Sequence, residues 1–291
     1  MRLCSFTANG SVKAGVVDGD AVIDLSVAAP DLPPTVGGIL HAGATAIGHA
    51  REAASKAAAR LPLSEVSLTA PVRPSKFFAV GLNYADHVAE AGVPTPEELI
   101  VFSKAISCVV GPYDAVHRPS ASQQLDYEGE LGIVIGTRCR HVPAAEASQV
   151  IAGYLVVNDV SARDWQLKTP QWVLGKSFDT HGPIGPWIVT PDELGDPHDL
   201  SLRTLVNGEA RQDTNTANLI FDCFKIIEII STVCTLEPGD VIATGTSGGV
   251  AGAMEGQPWL VPGDVVRVEI DGIGAIENTI VQEPMCATHQ W

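Results

Sequence analysis

Leu125-Asp126-Tyr127-Glu128-Gly129-Glu130-Leu131-Gly132-Ile133-Val134-Ile135 joins an acidic start to an apolar finish. Side chains along a strand alternate between its faces, so Glu128 and Glu130 share one face while Leu131, Ile133 and Ile135 point to the other. Two carboxylates that close repel each other unless protons or a cation compensate them, and hard oxygen ligands of this kind suit Mg²⁺ or Mn²⁺. A solvated strand face explains an isolated Glu-x-Glu equally well, so the pair needs partners from elsewhere in the chain.

Outward from this stretch, residues 76–80, 131–135, 153–157, 187–189, 241–244 and 265–270 read as strands punctuated by glycine and proline. Helical periodicity shows in 84–91, 144–150 and 219–234, too few and too irregular for regular β-α-β alternation. Residues 11–16 and 21–25 alternate as short strands, and an alanine-rich helix follows over 49–60. Pro71-Val72-Arg73-Pro74 then breaks the pattern, because proline disfavours helix at and just before its own position. The reading is a small N-terminal α/β domain, residues 1–70, followed by an α+β, mostly β catalytic domain, residues 71–291.

Composition narrows the function classes. The chain has 291 residues, 45% hydrophobic and 18% charged, which excludes disorder, collagen and a disulfide scaffold. With 18 Lys and Arg against 34 Asp and Glu, the net charge of -16 argues against a grip on nucleic acid or anionic membrane. No apolar run is long enough to span a bilayer and MRLCSFTANG lacks a signal core, so a cytoplasmic protein is expected. Cys4, Cys108, Cys139, Cys223, Cys234 and Cys286 are scattered without a CxxC, as reduced structural thiols are.

Three further groups carry candidate chemistry. Asn158-Asp159 ends an apolar strand, and if residues 160–166 form a helical turn, Asp159, Arg163 and Gln166 lie on one face at i, i+4 and i+7. An acid beside a cation and an amide suits a metal-bound carboxylate or keto acid, although Asp159 would also serve as a helix cap. His87 and Glu90, three residues apart on a helix, suit a water-activating dyad or an incidental surface ion pair. Lys176, between apolar and glycine residues, either needs an anionic partner or snorkels to solvent. Gly245-Thr246-Ser247-Gly248-Gly249 formally fits a serine-hydrolase elbow, yet its glycine-rich continuation starts a helix poorly, and an anion-binding backbone loop fits better.

Taken in order, GLNYADHVAEAG, DYEGELGIVIG, GYLVVNDVSARDWQ, GKSFDTHGPIGPW and LEPGDVIATGTSGGV closely resemble the fumarylacetoacetate hydrolase family. The resemblance spans residues 76–250, and the first 70 residues look like the small N-terminal domain that many members carry. It implies a mixed β-roll or β-sandwich, usually a homodimer. Carried over residue by residue, it implies Mg²⁺ or Mn²⁺ ligands at Glu128, Glu130 and Asp159 and a catalytic dyad at His87 and Glu90. It further implies substrate and intermediate contacts from Arg163, Gln166 and Lys176, with Thr246 on the substrate carboxylate. Ser247 stands where the family often has proline.

The expected reaction is hydrolysis of a carbon–carbon bond in a 2,4-dioxo acid such as an acylpyruvate, with a small-molecule 2-oxo acid as the binding partner. His87, oriented by Glu90, would deprotonate water for attack on the 4-carbonyl, and the departing pyruvate enolate would be stabilised by the cation and Lys176. Oxaloacetate decarboxylation, or tautomerisation or isomerisation of a 2-oxo acid, runs through the same enolate and is the alternative. A serine hydrolase using Ser247 and a non-catalytic binding protein are the readings from other classes.

Overall fold

The computed structural model describes residues 1–8 and 10–285, so Cys286 lies outside the described residues. At its centre the strand Gly129–Ile135 runs antiparallel between Ile151–Asn158 and Val241–Thr246. Every residue of the first two strands is buried. Alternation therefore sorts side chains between two apolar layers rather than between core and water, which is why these strands read as nearly continuous apolar runs. Leu131, Ile133, Tyr154 and Val156 enter one cluster, and Val134, Leu155 and Val157 enter the other.

Past Val241–Thr246 the sheet continues through a parallel neighbour, Phe77–Gly81, and ends at Ile100–Lys104. In the other direction it passes through Gly182–Val189 to Arg2–Ala8, Ser11–Asp18 and Ala21–Asp24. The pairing of Arg2 with Val189 and Leu3 with Ile188 joins the first 70 residues to the rest of the sheet. The helices Val36–His41 and Ala44–Lys56 bury Val36, Ile39, Leu40 and Ala50 in a cluster that also holds Val134, Leu155 and Val241. Pro71-Val72-Arg73-Pro74 carries neither helix nor strand, and sheet and apolar cluster run on both sides of it.

A second sheet covers the opposite face. Glu209–Asn215, Ser201–Val206, Val265–Ile270 and Gly274–Gln282 form two hairpins joined side by side in one antiparallel sheet, with Val116–Arg118 parallel at its end. Leu202, Val268, Ile276 and Ile280 meet the central sheet's side chains, and each such fully buried residue contributes roughly 1.5–3 kcal/mol. The helix Cys223–Val233 adds Ile226, Ile227 and Ile230 to this layer. It begins at Cys223 rather than at residue 219, because the Asp222 carboxylate accepts the N–H groups of Phe224 and Lys225 at 2.9 and 2.8 Å. The mostly β, mixed architecture expected from the sequence is what forms.

One local expectation fails. Residues 160–166 are not one helical turn: Ser161–Ala162 pairs antiparallel with Leu125–Asp126, and the helix is confined to Arg163–Gln166. Asp159 is neither on that helix nor its cap, since Ala162 caps it and the Asp159 N–H donates to the Glu128 carbonyl at 2.9 Å. The ladder that pairs Gly129 with Asn158 runs one residue further and carries Asp159 to its place. Residues 144–150 form a 3₁₀ rather than an α-helix. Strands 201–206, 209–215 and 274–282 escaped the sequence reading because polar residues occupy their outward positions, as Glu277 and Thr279 do between buried Ile276, Asn278 and Ile280.

His181 is fully buried, its Nε2 3.0 Å from the His117 carbonyl, and burial pushes its imidazole down to about 3. The unfolded chain's histidine titrates near 6.5, so below that pH the unfolded state takes up a proton that the folded state refuses. Stability is therefore lost as pH falls from about 6.5 toward 3, by about 2 kcal/mol at pH 5 from this group. Urea unfolding at pH 7 and pH 5 should show wild type losing about 2 kcal/mol more than His181→Gln; equal losses would remove the group from the pH response.

Candidate active site

Glu130 belongs to the central strand, Glu128 precedes it, and Asp159 follows the neighbouring strand Ile151–Asn158. Pairing of Gly129 with Asn158 therefore draws the three carboxylates together, with one oxygen from each within 4.8 Å of the others. Glu130 and Asp159 are fully buried and Glu128 nearly so, which removes the solvated-face reading. Arg163 donates from Nε to Asp126 at 2.8 Å and lies 2.6 Å through Nη1 from Glu128 Oε1. Lys176 Nζ reaches Glu128 Oε2 at 2.6 Å and Asp159 Oδ2 at 2.8 Å. It is a buried, paired cation, not a snorkelling one.

Burial alone would raise the Glu128 carboxyl, but the Lys176 ammonium and the Arg163 guanidinium outweigh it and hold that carboxyl below the usual range. Glu130 goes the other way: burial, then the Asp159 and Glu128 carboxylates, push it well above the ordinary value. Its Oε2 accepts the Gly245 N–H at 2.6 Å, while its Oε1 is buried without a partner. Asp126, Glu128, Glu130 and Asp159 face Lys104, Lys176 and Arg163, leaving one carboxylate in excess. A surplus negative charge, an orphan carboxylate oxygen and an all-oxygen donor set fit Mg²⁺ or Mn²⁺ at Glu128, Glu130 and Asp159. Oxygens already facing Lys176 retain a second lone pair for an ion.

A cavity of about 490 Å³ opens onto this cluster. Glu128, Arg163, Gln166, Lys176, Thr246, His87 and Glu90 line it, and Glu130 and Asp159 adjoin it through Glu128. His87 and Glu90 project from the helix Ala85–Ala91. His87 Nδ1 stands 3.6 Å from Glu90 Oε2, beyond a hydrogen bond, and has no other partner. Both Glu90 oxygens instead accept the Gly249 N–H, at 3.1 and 3.0 Å, tying the helix to the glycine-rich loop. Thr246 Oγ1 donates to the Gly129 carbonyl at 3.0 Å and accepts from Gln212 Nε2 at 2.7 Å.

Several site residues were not singled out from the sequence. Lys104, buried, donates to Asp159 Oδ1 at 2.5 Å and to the Lys176 carbonyl, so it holds an acid and the lysine's backbone together. Nothing in Ile100–Lys104 marks it as different from an edge-strand lysine. Asp126 was legible, since it precedes Glu128 by the same two-residue step that separates Glu128 from Glu130. Its carboxylate accepts the N–H groups of Ala251 and Gly252 at 2.8 and 2.9 Å and so fixes the loop against Arg163. Gly245, at φ +103°, admits no side chain, because a Cβ there would lie 2.7 Å from that of Asn83. Ser247 lacks an elbow: its Oγ donates to the Gly248 carbonyl at 3.2 Å and no helix follows.

The comparisons with known proteins agree on one family. The profile of the fumarylacetoacetate (FAA) hydrolase C-terminal region matches residues 76–281. A mitochondrial oxaloacetate tautomerase of Bos taurus is 45% identical over 267 residues, 91% of this chain and 85% of that protein. The maleylpyruvate hydrolase of Sphingobium sp. SYK-6, solved with manganese(II) and pyruvate, is 34% identical, with a TM-score of 0.82 over 98% of this chain and 100% of its own. A fumarylacetoacetate hydrolase from Exiguobacterium antarcticum is 37% identical, with a TM-score of 0.87 over 97% and 100%. Hydrolases and tautomerases thus share this framework, and the chain belongs to the fumarylacetoacetate hydrolase family.

Proposed function

We propose that this chain is an enzyme acting on 2-oxo acids through their enol form, and that its reaction is the keto–enol tautomerisation of a C3-substituted pyruvate, the class to which oxaloacetate belongs. What carries the reading is the convergence of three buried carboxylates, Lys176, Arg163 and His87 on one cavity. The 45% identity to an oxaloacetate tautomerase supports the choice of reaction. A Mg²⁺ or Mn²⁺ ion held by Glu128, Glu130 and Asp159 would polarise the 2-oxo group and acidify the neighbouring C3 hydrogen.

The chain's own residues supply the rest. Arg163 Nη2 is buried without a partner and offers a charge-assisted donor to the substrate carboxylate. His87 takes the C3 proton; that C–H electron pair becomes the C2–C3 double bond, the C2–O pair moves onto oxygen, and the imidazolium of His87 returns its proton to that oxygen. Lys176, held by Glu128 and Asp159, offsets the negative charge developing on that oxygen. No water is consumed and no carbon–carbon bond breaks.

Hydrolysis of an acylpyruvate is the second reading, favoured by the His87–Glu90 pair on the cavity wall and by the similarity to a maleylpyruvate hydrolase. There His87 deprotonates water, hydroxide adds to the 4-carbonyl, the C3–C4 bond breaks, and pyruvate enolate and a carboxylic acid leave. We further propose a homodimer formed along the edge strand Ile100–Lys104, around which Val101, Ile106 and Leu174 are exposed. A reducing compartment such as the cytoplasm fits the five free cysteines among the described residues. No described helix is long and apolar enough to cross a membrane.

Enol absorbance of oxaloacetate and, in parallel, of an acylpyruvate, followed with pyruvate and CO₂ quantified, separates the readings. Metal-dependent, EDTA-sensitive enol loss without pyruvate is expected; stoichiometric pyruvate from an acylpyruvate instead would install the hydrolase, and CO₂ release the decarboxylase. His87→Ala should lower turnover about 10²- to 10⁴-fold while Mn²⁺ affinity holds, and unchanged turnover would take His87 out of the mechanism. Glu130→Gln relieves carboxylate repulsion, so the metal-free protein should melt higher while the stabilisation that Mn²⁺ gives wild type disappears. Retained Mn²⁺ stabilisation would exclude Glu130 as a ligand. Light scattering should return twice the chain mass, and a monomer at all concentrations would contradict the dimer.

A further inference from the structure

The cationic groups of the cavity sit together on the carboxylate cluster. Among its lining residues the cationic side chains are Arg163 and Lys176, and both are already turned onto Asp126, Glu128 and Asp159. The remaining wall sets His87, Glu90, Thr246 and three glutamines beside a larger apolar part, in which Leu82, Leu167, Phe102, Trp172 and Trp259 are the large members. A volume of about 490 Å³ falls within the roughly 300–1,000 Å³ of sites that enclose drug-sized ligands, and a four-carbon dicarboxylate leaves most of it unfilled.

The aromatic part of that wall begins beside the reacting head group and is built rigidly. Lys176 Nζ lies 5.1 Å from the centroid of the Phe102 ring. Phe102 meets Trp172 edge to face, with centroids 5.5 Å apart and planes at 68°. Trp172 is pressed onto Gly81, where a Cβ would come within 2.2 Å of the indole Cζ3, so only glycine lets the ring sit there. The Trp172 carbonyl accepts the N–H groups of Gly175 and Lys176 at 3.0 and 3.2 Å, so the indole and the lysine are set by one short segment. A second indole, Trp259, stands against Gly252 of the loop that Asp126 fixes.

We infer that this wall is a subsite for a flat apolar group, aryl in preference to carboxylate, carried by the substrate carbon next to its 2-oxo group. Phe102 and Trp172 form its floor, and Gly81 is the positioning residue that makes room for the indole. The inference rests on the 2-oxo acid reading above and deepens it. A second carboxylate on that side meets no free cation, whereas an aromatic ring meets pre-set ring faces and edges and gains their contact without ordering them first.

Phenylpyruvate and oxaloacetate test this directly, since they share the 2-oxo acid head and differ in a phenyl or a carboxylate on C3. Calorimetric titration of the Mg²⁺-loaded protein should give a dissociation constant for phenylpyruvate at least about tenfold below that for oxaloacetate. Trp172→Ala should reduce that preference about tenfold or more, Trp172→Phe should keep most of it, and Gly81→Ala should erode it by displacing the indole. Equal or tighter binding of oxaloacetate in wild type would overturn the subsite and leave the 2-oxo acid reading standing. Binding of neither acid would overturn that reading, and the subsite with it.

Discussion

A cluster of buried charge with one carboxylate too many governs this molecule. Taking an ion out of water costs several kcal/mol, and breaking a buried pair costs about 3–5 kcal/mol, so each acid here must keep its partners. Lys104 and Lys176 share Asp159, Lys176 and Arg163 share Glu128, and Arg163 reaches back to Asp126. Glu130 is the group that this exchange leaves over, with one oxygen facing nothing. The same imbalance that burdens the fold is one that a divalent cation on these oxygens would offset.

Such a cluster survives only inside a rigid frame, and the central sheet supplies it. Gly129–Ile135 and Ile151–Asn158 are covered on both faces, by the second sheet and the helix Cys223–Val233 on one side and by a cluster shared with the N-terminal helices on the other. Their register sets the spacing of the acids, and a slip of one residue would turn Glu130 into an apolar layer. Around the sheet end, charge-assisted bonds tie loop and helix together: Asp126 holds the glycine-rich loop by two backbone amides, and Glu90 holds the same loop from the helix Ala85–Ala91.

Much of this was legible in the residues. The central strands announced themselves as apolar runs, Glu128 and Glu130 by their two-residue step, and His87 and Glu90 by their helical spacing. Asp159 was singled out on the strength of a helical turn that does not form, and it reaches the cluster through the sheet ladder instead. Lys104 was invisible because its importance lies in a partner 55 positions away, a relation that no local period records.

Local sequence determined what period, composition and short motifs can encode: which segments become strands and helices, which acids share a face, and which class of chemistry their oxygens suit. Tertiary structure alone decided which cation meets which acid, that Glu130 is left with an unpartnered oxygen, and that indole and phenyl rings stand beside the charged cluster in one cavity. The physical reason is range. Side-chain alternation acts over two residues and a helical turn over four, whereas desolvation and Coulomb attraction act between whatever groups folding brings within a few ångströms, irrespective of their separation along the chain.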